Sequence, residues 1–200
     1  MRLDYDVLCK VKGNPSAETA TGRRLQLDPE LKEYPYDMPK ELITAVMKQF
    51  PPERWTKLDA ESDEQFLQRL ANEFMEFLMD KADSDEYRDR TGEMINLVAQ
   101  QTGISFPHRF ERYLELGVLS LRPRDPWKIA QATTKVLKLR SFNCSLAKLF
   151  SERGITQCEK FCLAGAGVIA ERIGETLIME QTAQAEPDEY CELTFRREAK

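Results

Sequence analysis

The chain predicts an α+β fold, with a helical N-terminal and middle region and a C-terminal helix-helix-β-hairpin unit. Three features predict it. Apolar residues recur at three and four through the middle of the chain, as on one face of a helix. Two glycine-terminated helical segments follow Cys144, and two strand-like runs then flank an acidic turn. A helical middle followed by a strand-helix-helix-hairpin unit reads as an α+β chain.

The first residues alternate, with Leu3, Tyr5, Val7, Cys9 and Val11 on one side, and Gly13-Asn14-Pro15 ends this expected strand. Turn formers and charges fill residues 14–37, which read as an irregular arm or a hairpin partner. Asp37 can cap a helix with Pro39 in its first turn, running through Leu42, Ile43, Val46 and Met47 to Phe50 before Pro51-Pro52. Ser62 and Gln65 form a capping box for a longer helix. Its stripe of Phe66, Leu67, Leu70, Phe74, Phe77 and Leu78 is a core face.

Ser84 starts a further expected helix that Gly103 stops, and another spans Pro107 to Leu116 with Gly117 as its end. The single histidine, His108, falls in the polar first turn of the latter, where an exposed or capping role outweighs catalysis. Asp125-Pro126 reads as opening a helical turn that carries Trp127, and the chain then extends through Val136, Leu137 and Leu139 to Phe142. A short helix with Leu146, Leu149 and Phe150 closes at Gly154, and a second spans 157–173 and closes at Gly174. Strands are expected from Thr176 to Thr182 and from Tyr190 to Arg196, joined by Glu186-Pro187-Asp188. This divides the chain into an N-terminal strand and arm, 1–37, and an α+β domain, 38–200.

Composition narrows the function. With 42% hydrophobic residues in 200, the chain can bury a real core. The balance of 29 basic against 34 acidic residues, a net charge of -5, argues against a nucleic-acid partner; Arg23-Arg24 and Arg196-Arg197 are too short to form a basic stripe. No apolar run approaches the ~18 residues of a membrane span, and acids stand where a signal peptide needs an apolar core. A cytoplasmic location with reduced thiols is therefore expected, and five cysteines do not suggest a disulfide framework.

Chemistry points to the last third. Cys144, Cys158, Cys162 and Cys191 fall in the pattern C-x13-C-x3-C-x28-C, between 144 and 191. Cys158 and Cys162 are four apart, so on a helix their sulfurs share one face, which suits joint ligation. Four thiols equal the usual ligand count of an iron-sulfur cluster, while zinc more often uses C-x2-C or C-x4-C knuckles. The same thiols also read as small buried hydrophobes or as nucleophiles.

The stretch CSLAKLFSERGITQCEKFC, then AERIG, then a hairpin ending EYCELTF resembles the C-terminal region of the L-2-amino-thiazoline-4-carboxylic acid hydrolase-like family. Cys144, Gly154, Cys162, Gly174, Cys191 and Phe195 carry the resemblance. Where that family tends to have an Arg-Thr pair, this chain has Glu180-Gln181; Pro187 replaces a turn glycine and Gly165 an acid. The natural clamp for a substrate carboxylate, an arginine, is thus missing from that position of the hairpin. The stretch is also similar to the 4-vinyl-reductase-type small-molecule-binding domain, through Gly167, Gly174, Glu180 and Cys191.

Two functions follow. One is a binding or accessory protein for a small molecule, zinc or an iron-sulfur cluster, with Cys144, Cys158, Cys162 and Cys191 as ligands. The other, implied by the hydrolase resemblance, is hydrolysis of a small cyclic C–N bond. Cys162 or Cys191 would then be nucleophile, and Glu180 or Glu192 acid or base. A protein partner or a homo-oligomer is compatible with both.

Overall fold

The computed structural model describes residues 41–88, 108–122, 125, 127–132, 135–184 and 190–198. The expected strand at 3–11, the arm at 14–37, most of the helix expected from Ser84 to Gly103, and the acidic turn at 186–188 lie outside them. The fold is α+β. Helix α1 covers 41–49, and a 3-10 turn at Pro52–Arg54 follows Pro51. Helix α2 is Asp63–Ala82, α3 is His108–Leu121, and strands β1, Trp127–Ala132, and β2, Val136–Ser141, come next. Helices α4, Ser145–Glu152, and α5, Glu159–Ile173, then precede β3, Leu177–Ala183, and β4, Cys191–Arg197.

The capping box forms as expected. Ser62 Oγ accepts from the Gln65 amide, and the Gln65 side chain accepts from the Ser62 amide. Phe66, Leu70, Phe74 and Leu78 are buried, while Phe77 lies at the rim, stacked on Phe50 with ring centroids 5.7 Å apart. Helix α2 packs along α5, and α3 also lies against α5. Trp55, Phe150 and Phe161 form an aromatic cluster where α2, α4 and α5 meet.

The four strands are antiparallel in the order β1-β2-β4-β3. Pairing of Leu137 with Phe195 and Leu139 with Leu193 gives one face of large apolar side chains, which joins the helical core. The register continues to Ser141 opposite Cys191, so these two share that inner face. Arg140 and Glu192, one residue away, point to the other side.

Two local expectations are corrected. Trp127 opens β1 instead of riding on a helical turn, because its partner, Ser141, is supplied by β2. Asp125 serves a different helix: its Oδ2 accepts from Ser145 N at 2.7 Å and Ser145 Oγ at 2.9 Å, at the start of α4. Gly117 does not end α3, which runs on to Leu121. Glycine inside a helix costs about 1 kcal/mol relative to alanine; packing overrides this where a Cβ would stand 3.3 Å from Met75 Sδ.

Candidate functional site

Arg122 immediately follows α3, where its amide donates to Val118 O at 2.7 Å. A cation at a helix C-terminus is favoured by the helix dipole. Its side chain turns inward and is only 6% exposed. One terminal nitrogen, Nη1, donates to Ser141 Oγ at 3.2 Å and to Cys144 Sγ at 3.0 Å. Nε is buried and has no hydrogen-bond partner among the described residues. Among the described residues no carboxylate forms an ion pair with this guanidinium, and Asp125 acts on it only at longer range.

Arg122 lines a cavity of about 40 Å³ bounded by α2, α3, α5 and the inner sheet face. The other lining groups are almost wholly apolar, among them Met75, Leu121, Leu139, Phe161 and Leu193, together with Cys162. Gly117 and Gly165 shape it: a Cβ on Gly165 would stand 3.0 Å from Met75 Cγ. One water occupies roughly 10–15 Å³ on this measure, so the space suits a group of about three heavy atoms. A larger cavity of about 270 Å³ lies beside Trp55, lined by Arg69 and Glu73. There Arg69 is already paired with Glu61 and Glu73, so its charge is neutralised within the chain.

The four cysteines are free and half-buried, and they gather around Arg122. Cys144 caps α4, with Ala147 N donating to its sulfur at 3.4 Å. The preceding Asn143 has φ 48°, a left-handed turn that asparagine tolerates. Cys158 precedes α5 without a capping bond, and Cys162 lies one turn on. Cys191 Sγ accepts from Gln181 Nε2 at 3.3 Å.

Burial pushes the Cys162 thiol up to about 12; Arg122 pulls the other way, and the neighbouring thiols add to burial. Burial, followed by Cys144 and Cys191, pushes Cys158 up to about 11. Cys191 is raised as well, by burial first, with the Gln181 bond opposing. Buried neutral thiols of this kind are poor nucleophiles near neutral pH. The ligand set expected for zinc or an iron-sulfur cluster is not assembled: among the described residues, no group of three or more Cys, His, Asp or Glu is placed to hold a metal ion.

The expected acid-base partners lie elsewhere. Glu192 projects from the outer sheet face, where Arg140 Nε donates to it at 2.6 Å, Thr182 Oγ1 at 2.8 Å and Lys138 Nζ at 3.5 Å. Burial raises its carboxyl, but these donors outweigh it and hold the group below the usual range. Glu180 lies on the same outer face, paired with Arg196. Neither carboxylate shares a face with Cys191.

Arg122 is the site residue that sequence reasoning missed. Its one local signal was an arginine directly after the apolar run Leu116–Leu121, a place that reads equally well as a solvent-exposed helix end.

No family model and no curated protein matches the chain. Solved structures give distant likenesses. The Fe(II) unliganded H-NOX protein from K. algicida is 12% identical, with a TM-score of 0.36, covering 82% of this chain and 96% of that one. An oxygen-binding H-NOX domain related to soluble guanylate cyclases is 12% identical, with a TM-score of 0.30, covering 80% and 86%. An H-NOX structure from a study of heme distortion is 10% identical, with a TM-score of 0.32, covering 80% and 86%. Likenesses this weak transfer neither fold nor ligand. Among the described residues, no helix is long and apolar enough to cross a membrane.

Proposed function

We propose that this chain is a small-molecule-binding domain, of the kind implied by its 4-vinyl-reductase-type resemblance, whose ligand is a small carboxylate or similar oxyanion with a short apolar tail. The observation that carries this reading is the buried Arg122 guanidinium. It has a hydroxyl and a sulfur for partners, a partnerless Nε, and an apolar cavity beside it. A buried cation with no counter-charge among the described residues is costly. A carboxylate entering the cavity would supply that charge through charge-assisted hydrogen bonds, and its carbons would cover Leu121, Leu139 and Leu193. The arginine that Glu180-Gln181 replaces in the hairpin would thus be provided by the end of α3.

The hydrolase reading gains no comparable support. Cys162 and Cys191 are held as neutral thiols, and Glu180 and Glu192 face away from them.

Calorimetry with formate and acetate, the acids that a space of about 40 Å³ admits, each beside its matched amide, tests the proposal. The acids should bind at about 1 mM or tighter, roughly 4 kcal/mol, and the amides should not. Equal binding of acids and amides, or no binding by any acid at tens of millimolar, would overturn it.

A further inference from the structure

Cys144 differs from the other three thiols in what reaches its sulfur. Arg122 Nη1 donates at 3.0 Å, and the Ala147 amide donates at 3.4 Å. The first donor is a buried cation. The second is an amide of the first turn of α4, where unsatisfied N–H groups concentrate positive potential. Negative charge developing on this sulfur is met by fixed donors from two directions.

The other thiols feel the Arg122 charge only through space, and burial outweighs it there; none has that pair of donors. Cys191 accepts from the neutral Gln181 amide, and among the described residues no hydrogen-bond donor reaches Cys158 or Cys162. Cys144 is also approachable, because it is half-buried between the exposed residues Asn143 and Ser145. The groups around it are Arg122 at the end of α3, Cys158 and Cys162 from α5, and Cys191 from β4. Asp125, the nearby acid, is occupied by the amide and hydroxyl of Ser145.

We propose that Cys144 is a covalent modification site for small soft electrophiles, with Arg122 as its positioning residue. In the step, the Cys144 sulfur forms a bond to the electrophilic carbon, the leaving group departs with its electron pair, and the thiol proton passes to solvent. With iodoacetamide the leaving group is iodide. Alkylation by a neutral reagent requires no ligand in the cavity, so the ranking of the four thiols is independent of the carboxylate proposal, whereas the iodoacetate preference rests on the Arg122 charge that both share.

The test is brief alkylation of the native full chain with iodoacetamide, followed by peptide mapping of all five cysteines. Among Cys144, Cys158, Cys162 and Cys191, Cys144 should be modified about tenfold faster than the other three. A second readout compares iodoacetate with iodoacetamide. The buried Arg122 charge should raise the iodoacetate-to-iodoacetamide rate ratio at Cys144 above that of glutathione, and Arg122→Gln should abolish this preference. Arg122→Lys should keep part of it. If Arg122→Gln unfolds, the wild-type ranking and the wild-type rate ratio still decide. Faster reaction at another of the four, or equal rates at all four, overturns the proposal; the expected ranking with a ratio matching glutathione overturns the role of the Arg122 charge, and with it the carboxylate proposal.

Discussion

The two faces of the sheet handle buried charge in opposite ways. On the outer face Glu192 is 5% exposed, yet Arg140, Lys138 and Thr182 all reach its carboxylate. Thr194, fully buried beside it, bonds Thr182 at 2.8 Å. That charge is answered within the chain, and its removal would leave two cations facing one another. On the inner face Arg122 is equally buried, but among the described residues its partners are Ser141 and Cys144, and its Nε has none. A charge that the fold neutralises belongs to the architecture. One left unanswered beside a cavity belongs to whatever enters the cavity.

Substitutions can break that contrast. The largest expected effect is on binding: Arg122→Gln should weaken carboxylate affinity by about 2–3 kcal/mol, the worth of a hydrogen-bonded charge. Its urea midpoint should move little, because an unneutralised buried charge is lost along with its hydrogen bonds. A collapse in stability with unchanged affinity would reverse the roles assigned to the two faces. Glu192→Ala should do the opposite, lowering unfolding free energy by about 2 kcal/mol, since Arg140 and Lys138 are partly exposed and lose less than fully buried partners would. Carboxylate binding and Cys144 alkylation should survive it.

Acid titration sharpens the comparison further. The Glu192 carboxyl is held below its ordinary value of 4.5, and the bonds from Arg69 push Glu61 down to about 2. Each group has a lower pKa folded than unfolded, so its stabilisation is present above about 4.5 and fades as pH falls toward 2. Denaturation midpoints should therefore drop across that window. Glu192→Gln should flatten the decline relative to wild type, whereas Arg122→Gln should leave its shape unchanged. The smallest effect belongs to Gly165→Ala. Its Cβ would press Met75 toward the cavity while gaining about 1 kcal/mol of helix propensity. Stability should stay within about 1 kcal/mol of wild type, and carboxylate affinity should fall about threefold by calorimetry.

Much of the fold was legible because its signals are local. The Ser62–Gln65 capping box, the apolar stripe of α2, and Gly154 and Gly174, with φ 76° and 72°, each act within a few residues. Trp127 and Gly117 were misread for the same reason: one depends on a strand pairing with Ser141, the other on space beside Met75, and neither partner is adjacent in sequence. The candidate site divides the same way. The thiols stood out as a rare residue type, and strand alternation already sets Glu192 opposite to its neighbour Cys191, but spacing could not show that Glu180 would join Glu192 on that face, or that three thiols would be kept neutral by burial.

By itself the sequence determined α2 with its Ser62 cap, α4 and α5 with their closing glycines, the two C-terminal strands and the neighbourhood of the cysteines, since periodicity and capping are short-range. Only the tertiary structure decided that Arg122 would turn inward among them. The environment of a charge is set by side chains from distant segments, here Ser141, Cys144 and Cys162, and folding alone brings them together.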